Sequence, residues 1–248
     1  VEITLLGTGT SIPHPERASP GCLVCVGGST ILFDIGSGTL KRLAETGRSY
    51  LDIDFVFLSH FHPDHTGDLV PLLFAFRNPY HPRTGCITIG GPPGTISFYR
   101  GLCGVYGTHV EALDYDLEVI EIGAHLEMPD FSLTSIKVPH TEQSLAYRVE
   151  ADGKSFVLSG DTGVSPELAD FSRGADVAMF ECSFTSDQEA QGHLTPATAG
   201  SMAEQAGVSK LVLTHFYPVF DGCDIRSECR KYFSGEAVVG TDLMKIKL

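Results

Sequence analysis

Apolar runs of three to eight residues, broken by glycine-rich turns, alternate along this chain with a few stretches of helical spacing. Residues 3–6 read as a first strand running into Gly7-Thr8-Gly9-Thr10. Residues 23–26 and 30–33 read as a hairpin around Gly27-Gly28. Helical spacing follows over 38–46. A strand over 55–58, Phe55-Val56-Phe57-Leu58, comes next, then a helix over 67–76, a strand over 87–89 and a weak helix over 94–102. Farther on, 118–122, 131–138, 146–151 and 155–158 read as strands, the last two joined by an Asp152-Gly153 turn. A short helix over 166–171, a strand over 177–180 and a helix over 196–206 come next. Thr195 is that helix's N-cap and Gly207 its stop. The pattern closes with a strand at 211–213, a helix over 225–232 and a strand over 244–248.

Such mixing predicts an α/β fold in which two sheets pack together with helices outside. With no tandem repeat, low-complexity tract or long linker, one domain over 1–248 is expected. Hydrophobic content of 42% against 19% charged residues is enough to build a substantial core. No apolar run approaches the roughly 18 residues of a membrane span, and no secretion signal is visible at Val1-Glu2-Ile3-Thr4.

The formal charge of −14 argues against a broad electrostatic footprint for nucleic acid. Bound divalent cations would reverse the sign locally and leave an anionic substrate open. Seven cysteines show no paired framework, and their odd number with no signal favours a reducing cytoplasm. Cys22 and Cys25 have the spacing of a zinc or redox pair, and equally that of small apolar residues in a strand.

The most informative segment is His60-Phe61-His62-Pro63-Asp64-His65, which follows directly on the strand at 55–58. Neutral imidazole with carboxylate is the ligand set of zinc and similar divalent ions. Four more candidates fall where predicted strands become loops, the usual place for a site on an α/β scaffold. They are His140 in Val138-Pro139-His140-Thr141, Asp161 in Ser159-Gly160-Asp161-Thr162, His193 in Gly192-His193-Leu194-Thr195, and His215 after Leu213-Thr214.

From Leu6-Gly7-Thr8-Gly9 to His215, this order of motifs resembles the metallo-β-lactamase-fold hydrolases. The resemblance implies a four-layer αββα sandwich with the site at one edge of the sheets. It implies two divalent ions, with zinc as the default and manganese or iron as alternatives. His60, His62 and His140 would hold one ion, Asp64, His65 and His215 the other, with Asp161 bridging. Two such ions sit about 3.5–4 Å apart and share a hydroxide. Asp34 matches an acidic position that supports the histidine loop; capping of the following helix is an equal alternative.

Within that family, the last third is similar to the ribonuclease Z and cyclic phosphodiesterase branch. Gly192-His193-Leu194-Thr195 stands where that branch carries a catalytic histidine, and Glu181 in Phe180-Glu181-Cys182 matches its acidic partner. The catalytic set implied is Asp64, His193 and Glu181, with His193 protonating the leaving oxygen of a phosphodiester. A tRNA-cleaving ribonuclease Z, or a lactone, β-lactam or thioester hydrolase on the same metals, is the alternative. Ribonuclease Z carries a basic arm between the positions of His140 and Asp161, where this chain has only 20 residues. A small anionic ester is therefore expected over folded RNA, with no membrane partner. Arg77, His81 and Arg83 could form a local basic strip or be plain solvated surface. Phe216-Tyr217 could face a substrate ring or lie in the core. Dimers are common among the proteins it resembles.

Overall fold

The computed structural model describes residues 1–188 and 190–248. In chain order the strands are β1 (Glu2–Gly7), β2 (Gly21–Val26), β3 (Ser29–Phe33), β4 (Phe55–Phe57), β5 (Cys86–Gly91), β6 (Asp116–Glu121), β7 (His125–Glu127), β8 (Ser132–Lys137), β9 (Leu145–Ala151), β10 (Lys154–Leu158), β11 (Val177–Glu181), β12 (Lys210–Thr214), β13 (Glu236–Val239) and β14 (Lys245–Lys247). The helices are α1 (Thr39–Glu45), α2 (Pro63–Thr66), α3 (Leu69–Ala75), α4 (Thr95–Tyr106), α5 (Pro166–Phe171), α6 (Pro196–Ala206) and α7 (Ile225–Cys229).

Two seven-stranded sheets result, ordered β14-β1-β2-β3-β4-β5-β6 and β13-β12-β11-β10-β9-β8-β7. Each is antiparallel on one side and parallel on the other. Pairing is antiparallel from β14 to β3 and from β7 to β10. It is parallel from β3 to β6 and from β10 to β13. Parallel strands need crossovers, and the helices supply them on the outer faces.

Strand alternation explains the layers. In β3 and β4, Ile31, Phe33, Phe55 and Phe57 face the other sheet, while Leu32 and Val56 face the helices. In β10, Phe156 and Leu158 face inward and Val157 outward. Strands buried on both faces appear in sequence as unbroken apolar runs, as Phe55-Val56-Phe57-Leu58 does. Three apolar layers therefore lie between four layers of secondary structure, the αββα sandwich expected. At the centre Phe33 lies 5.6 Å from both Phe57 and Tyr147, ring to ring. The buried Tyr147 hydroxyl donates to the Leu58 carbonyl at 2.7 Å, fixing the strand that leads into the histidine cluster.

Local signals held where chemistry was explicit. Asp152 and Gly153 both take positive φ in the two-residue β9–β10 turn. Thr195 caps α6 by accepting from the Thr198 N–H, and Gly207 ends it in left-handed geometry. The helix expected over 67–76 is α3 at Leu69–Ala75, with the separate short α2 before it; the Asp68 carboxylate at its N-cap accepts from the Gly38 and Leu40 N–H groups. The last helix stops at Cys229 rather than 232. Strands β7 and β13 have no counterpart in the apolar pattern: both are short and edge-lying, with exposed charges in them.

Candidate metal centre

The parallel strands all point their C-terminal ends at one rim, where α/β sheets display ligands. Asp34 follows β3, His60 lies just beyond β4, Asp161 beyond β10, Glu181 ends β11 with Ser183 beside it, and His215 follows β12. Two of these are held in left-handed backbone, Asp34 at φ 57° and His215 at φ 64°. For residues other than glycine that conformation costs about 1–2 kcal/mol, so the surrounding contacts must impose it. The loops also approach too closely for side chains: a Cβ at Gly36 would collide with the Asp64 carbonyl.

The seven residues expected as ligands converge. Donor atoms of His60, His62, His140 and Asp161 lie mutually within 4.8 Å, as do those of Asp64, His65 and His215. Asp161 stands between the groups: Oδ2 is 3.9 Å from His60 Nε2 and 3.8 Å from His140 Nε2. Its Oδ1 is 3.2 Å from His65 Nε2 and 3.3 Å from His215 Nε2. His62, exposed at the N-cap of α2, has its Nδ1 3.2 Å from His140 Nε2.

These atoms aim at common points rather than at one another. The Nε2 atoms of His60, His65 and His215 and Oδ1 of Asp161 are buried and have no hydrogen-bond partner among the described residues. An unsatisfied buried polar atom costs about 1–3 kcal/mol, so four in one place call for a cation. Electrostatics agree. Burial, with His65 beside it, pushes the His60 imidazole down to about 2, a neutral and ligand-ready form. Burial opposes ionisation of Asp64, but the neighbouring His215, 3.6 Å away, and His65 draw it down to about 2. Burial works against a charge on His65 too, and is outweighed by Asp161 and Asp34, which raise it well above its ordinary value. Burial disfavours the Asp161 carboxylate, and His215 and His65 overcome it. Divalent ions would take over the charge compensation that His65 supplies. The donor set fits them.

Behind the ligands the far nitrogens are occupied. His65 Nδ1 faces Asp34 Oδ2 at 2.8 Å, and Ser59 bonds both Asp34 oxygens, at 2.7 Å through N–H and 2.8 Å through its hydroxyl. His60 Nδ1 lies 3.0 Å from Ser59 Oγ. His140 Nδ1 donates to the Gly192 carbonyl at 3.0 Å. Asp34 is thus the support for the histidine loop; α1 has Gly38 as its N-cap and no side-chain cap.

His193 sits beside this cluster, with a donor atom within 4.8 Å of those of Asp161 and His215. Its Nδ1 is 2.8 Å from Glu181 Oε1, which leaves Nε2 free. Burial lowers the basicity of His193, but the hydrogen bond and charge of Glu181 prevail and raise it. Glu181 is buried and also accepts from the Thr162 and Leu194 N–H groups and from Ser183 Oγ. Asp64 lines a groove of about 440 Å³ with Thr10, Lys41 and Arg42, and His193 lines another of about 350 Å³ with Gly163 and Thr198.

Residues 29–216 match the β-lactamase superfamily domain. The chain belongs to that family. Ribonuclease Z of Mycobacterium bovis (strain BCG / Pasteur 1173P2) is 31% identical, with 100% of this chain and 98% of that one covered. The match runs over 276 positions against 248 residues here, so that relative carries segments this chain lacks. Among solved structures, the metallo-β-lactamase fold protein YhfI from Bacillus subtilis superposes with a TM-score of 0.85 at 27% identity, covering 99% of this chain and 98% of that one. Human tRNase Z, short form, has the same fold: TM-score 0.80 at 24% identity, covering 100% and 99%. As a superfamily member with this histidine and aspartate cluster, the protein is a metal-dependent hydrolase.

Three side readings are decided by position. Arg83 forms no basic strip with Arg77 and His81: it is buried and donates to the carbonyls of Leu51, Ile53 and Cys86. Cys22 and Cys25 lie on opposite faces of β2, one in the inter-sheet layer and the other against the helical layer, so they cannot share a metal. Phe216 is core, whereas the half-buried Tyr217 stacks on Phe184 at 4.8 Å, with Phe184 5.6 Å from His193. Two residues of this superfamily site were missed in sequence, Ser59 and Ser183. Serine is too common to stand out, and only adjacency to His60 and Glu181 marks these two.

Proposed function

We propose that this protein is a dinuclear phosphodiesterase in which His193 protonates the leaving oxygen. The observation that carries the reading is His193 itself, turned by Glu181 so that its free nitrogen borders the cluster. His60, His62 and His140 would hold one divalent ion, Asp64, His65 and His215 the other, and Asp161 would bridge them. When bound, a pair of zinc ions supplies an acidified water as nucleophile and neutralises charge developing on phosphorus; manganese or iron suits the same donors. The chain's own residues do the rest. The attacking water gives its proton to solvent as the new P–O bond forms, and the departing oxygen takes one from His193 as the old bond breaks, His193 being reprotonated from solvent afterwards. Glu181 keeps that imidazole oriented and favours its charged form.

Small anionic esters are the proposed substrates. Between His140 and Asp161 there is only a plain hairpin of β9 and β10, with no arm to embrace folded RNA, and the net charge is −14. A second reading, tRNA 3′ processing, is favoured by a different observation, the whole-length similarity to proteins named ribonuclease Z. One domain over 1–248 would carry either activity. Exposed Phe74 and Val105, on α3 and α4, support pairing with a second copy. The free cysteines support a reducing cytoplasm, and among the described residues no helix is long and apolar enough to cross a membrane.

Metal-loaded protein should be assayed on bis-(p-nitrophenyl) phosphate, 2′,3′-cyclic nucleotides, precursor tRNA, a lactone and nitrocefin. Turnover of the first two is expected. Activity restricted to the lactone and nitrocefin would overturn the phosphodiester reading, and activity restricted to precursor tRNA would select the second.

A further inference from the structure

We propose that Ser59 and Ser183 are positioning residues that each pass one carboxylate's charge to a metal-facing histidine and lock its tautomer. The inference rests on the dinuclear reading above for its metal arm, but the wiring follows from counting protons. A serine hydroxyl has one hydrogen to give. Ser183 Oγ is 2.6 Å from Glu181 Oε2 and 2.8 Å from His215 Nδ1. A carboxylate can only accept, so the hydroxyl hydrogen goes to Glu181 and the oxygen must accept from His215. His215 therefore carries its proton on Nδ1, leaving the Nε2 lone pair for the cluster.

Ser59 repeats this arrangement. Its hydroxyl donates to Asp34 Oδ2 at 2.8 Å and faces His60 Nδ1 at 3.0 Å. His60 is thereby held as the Nδ1–H tautomer, its unpartnered Nε2 pointing inward. In each half one carboxylate supports two imidazoles, the first directly (His65 or His193) and the second through serine. On the Glu181 side this ties the proposed acid and a proposed ligand to one anchor. Moving Glu181 disturbs both, whereas removing the Ser183 hydroxyl cuts the only tie of His215 to Glu181 among the described residues and takes from His193 just a longer 3.2 Å contact, its direct bond to Glu181 remaining.

The test uses the full chain with and without zinc. In metal-free protein carrying ¹⁵N-labelled histidine, His60 and His215 should each show an Nδ1–H resonance protected from solvent exchange. Ser183→Ala should lose the His215 signal and keep that of His60, and Ser59→Ala should do the reverse. Each substitution should weaken zinc binding about 10–100-fold in chelator competition, the usual scale for losing such a support. Ser183→Thr, which restores a hydroxyl, should recover both readouts, and matched melting curves confirm folding. Protected signals and zinc affinity unchanged in folded alanine variants would overturn the relay. Failure of the wild type to bind two ions or hydrolyse phosphodiesters would overturn the proposed function while the metal-free resonances still reported on the wiring.

Discussion

The two halves of the site are built on the same plan and used for different ends. On the first sheet Asp34 holds His65 directly and His60 through Ser59; on the second, Glu181 holds His193 directly and His215 through Ser183. The difference lies in exposure. His60 and His65 are sealed, at 0% and 1% of their surface, while the His193 side chain keeps 15%. Sealed imidazoles can serve only an ion held inside. An imidazole reaching solvent beside a groove can also exchange a proton with the medium, as a turning-over acid must. On the proposed reading, the same hydrogen-bond wiring serves a cage on one side and a proton donor on the other.

The sharpest way to break the comparison is to remove each carboxylate. Asp34→Ala should be the most damaging change. It strands the buried His65 and Ser59, with an expected loss of about 2–5 kcal/mol of stability and of metal from both positions. Thermal melts and metal analysis would show it, and retention of full metal content would contradict the cage role. Next in size, His193→Ala should lower kcat on bis-(p-nitrophenyl) phosphate about 10²–10⁴-fold with metal content intact. Unchanged turnover would remove His193 from the acid role.

A smaller effect sharpens the second half. His193 is raised in basicity because Glu181 outweighs burial. As a donor it works protonated, so activity falls as pH rises through its folded pKa. Glu181→Gln removes the charge that raises it, and the alkaline limb of the kcat profile should move to lower pH. Movement in the opposite direction would refute the assignment. The least effect is expected from Arg77→Ala, a surface side chain donating to the Glu111 carbonyl. Turnover and its salt dependence should stay at wild-type values, whereas a drop on RNA alone would point to a nucleic-acid face there.

Much of the site could be read in the chain because its ligands carry uncommon chemistry in close spacing: three histidines and an aspartate within residues 60–65, each later ligand at a strand end. The supports were harder to see. Asp34 reads equally as a helix cap until the fold brings it, across 31 positions, to His65. Arg83 resembles a binding residue until its guanidinium turns inward. Strands β7 and β13 hid for the converse reason, since edge pairing satisfies backbone groups without needing an apolar signature.

Sequence alone determined that two sheets pack together with helices outside, through apolar runs long enough for strands buried on both faces, and it marked the candidate ligands through residue type; the αββα layering and the seven-ligand set came from the family resemblance. Tertiary structure alone decided which hydroxyl stands behind which imidazole, which histidine reaches solvent and which cation is buried. Those are outcomes of how loops are brought together by the fold, and contacts between segments up to some thirty residues apart, such as Ser183 with His215 across 32 positions, leave no periodicity in either segment to betray them.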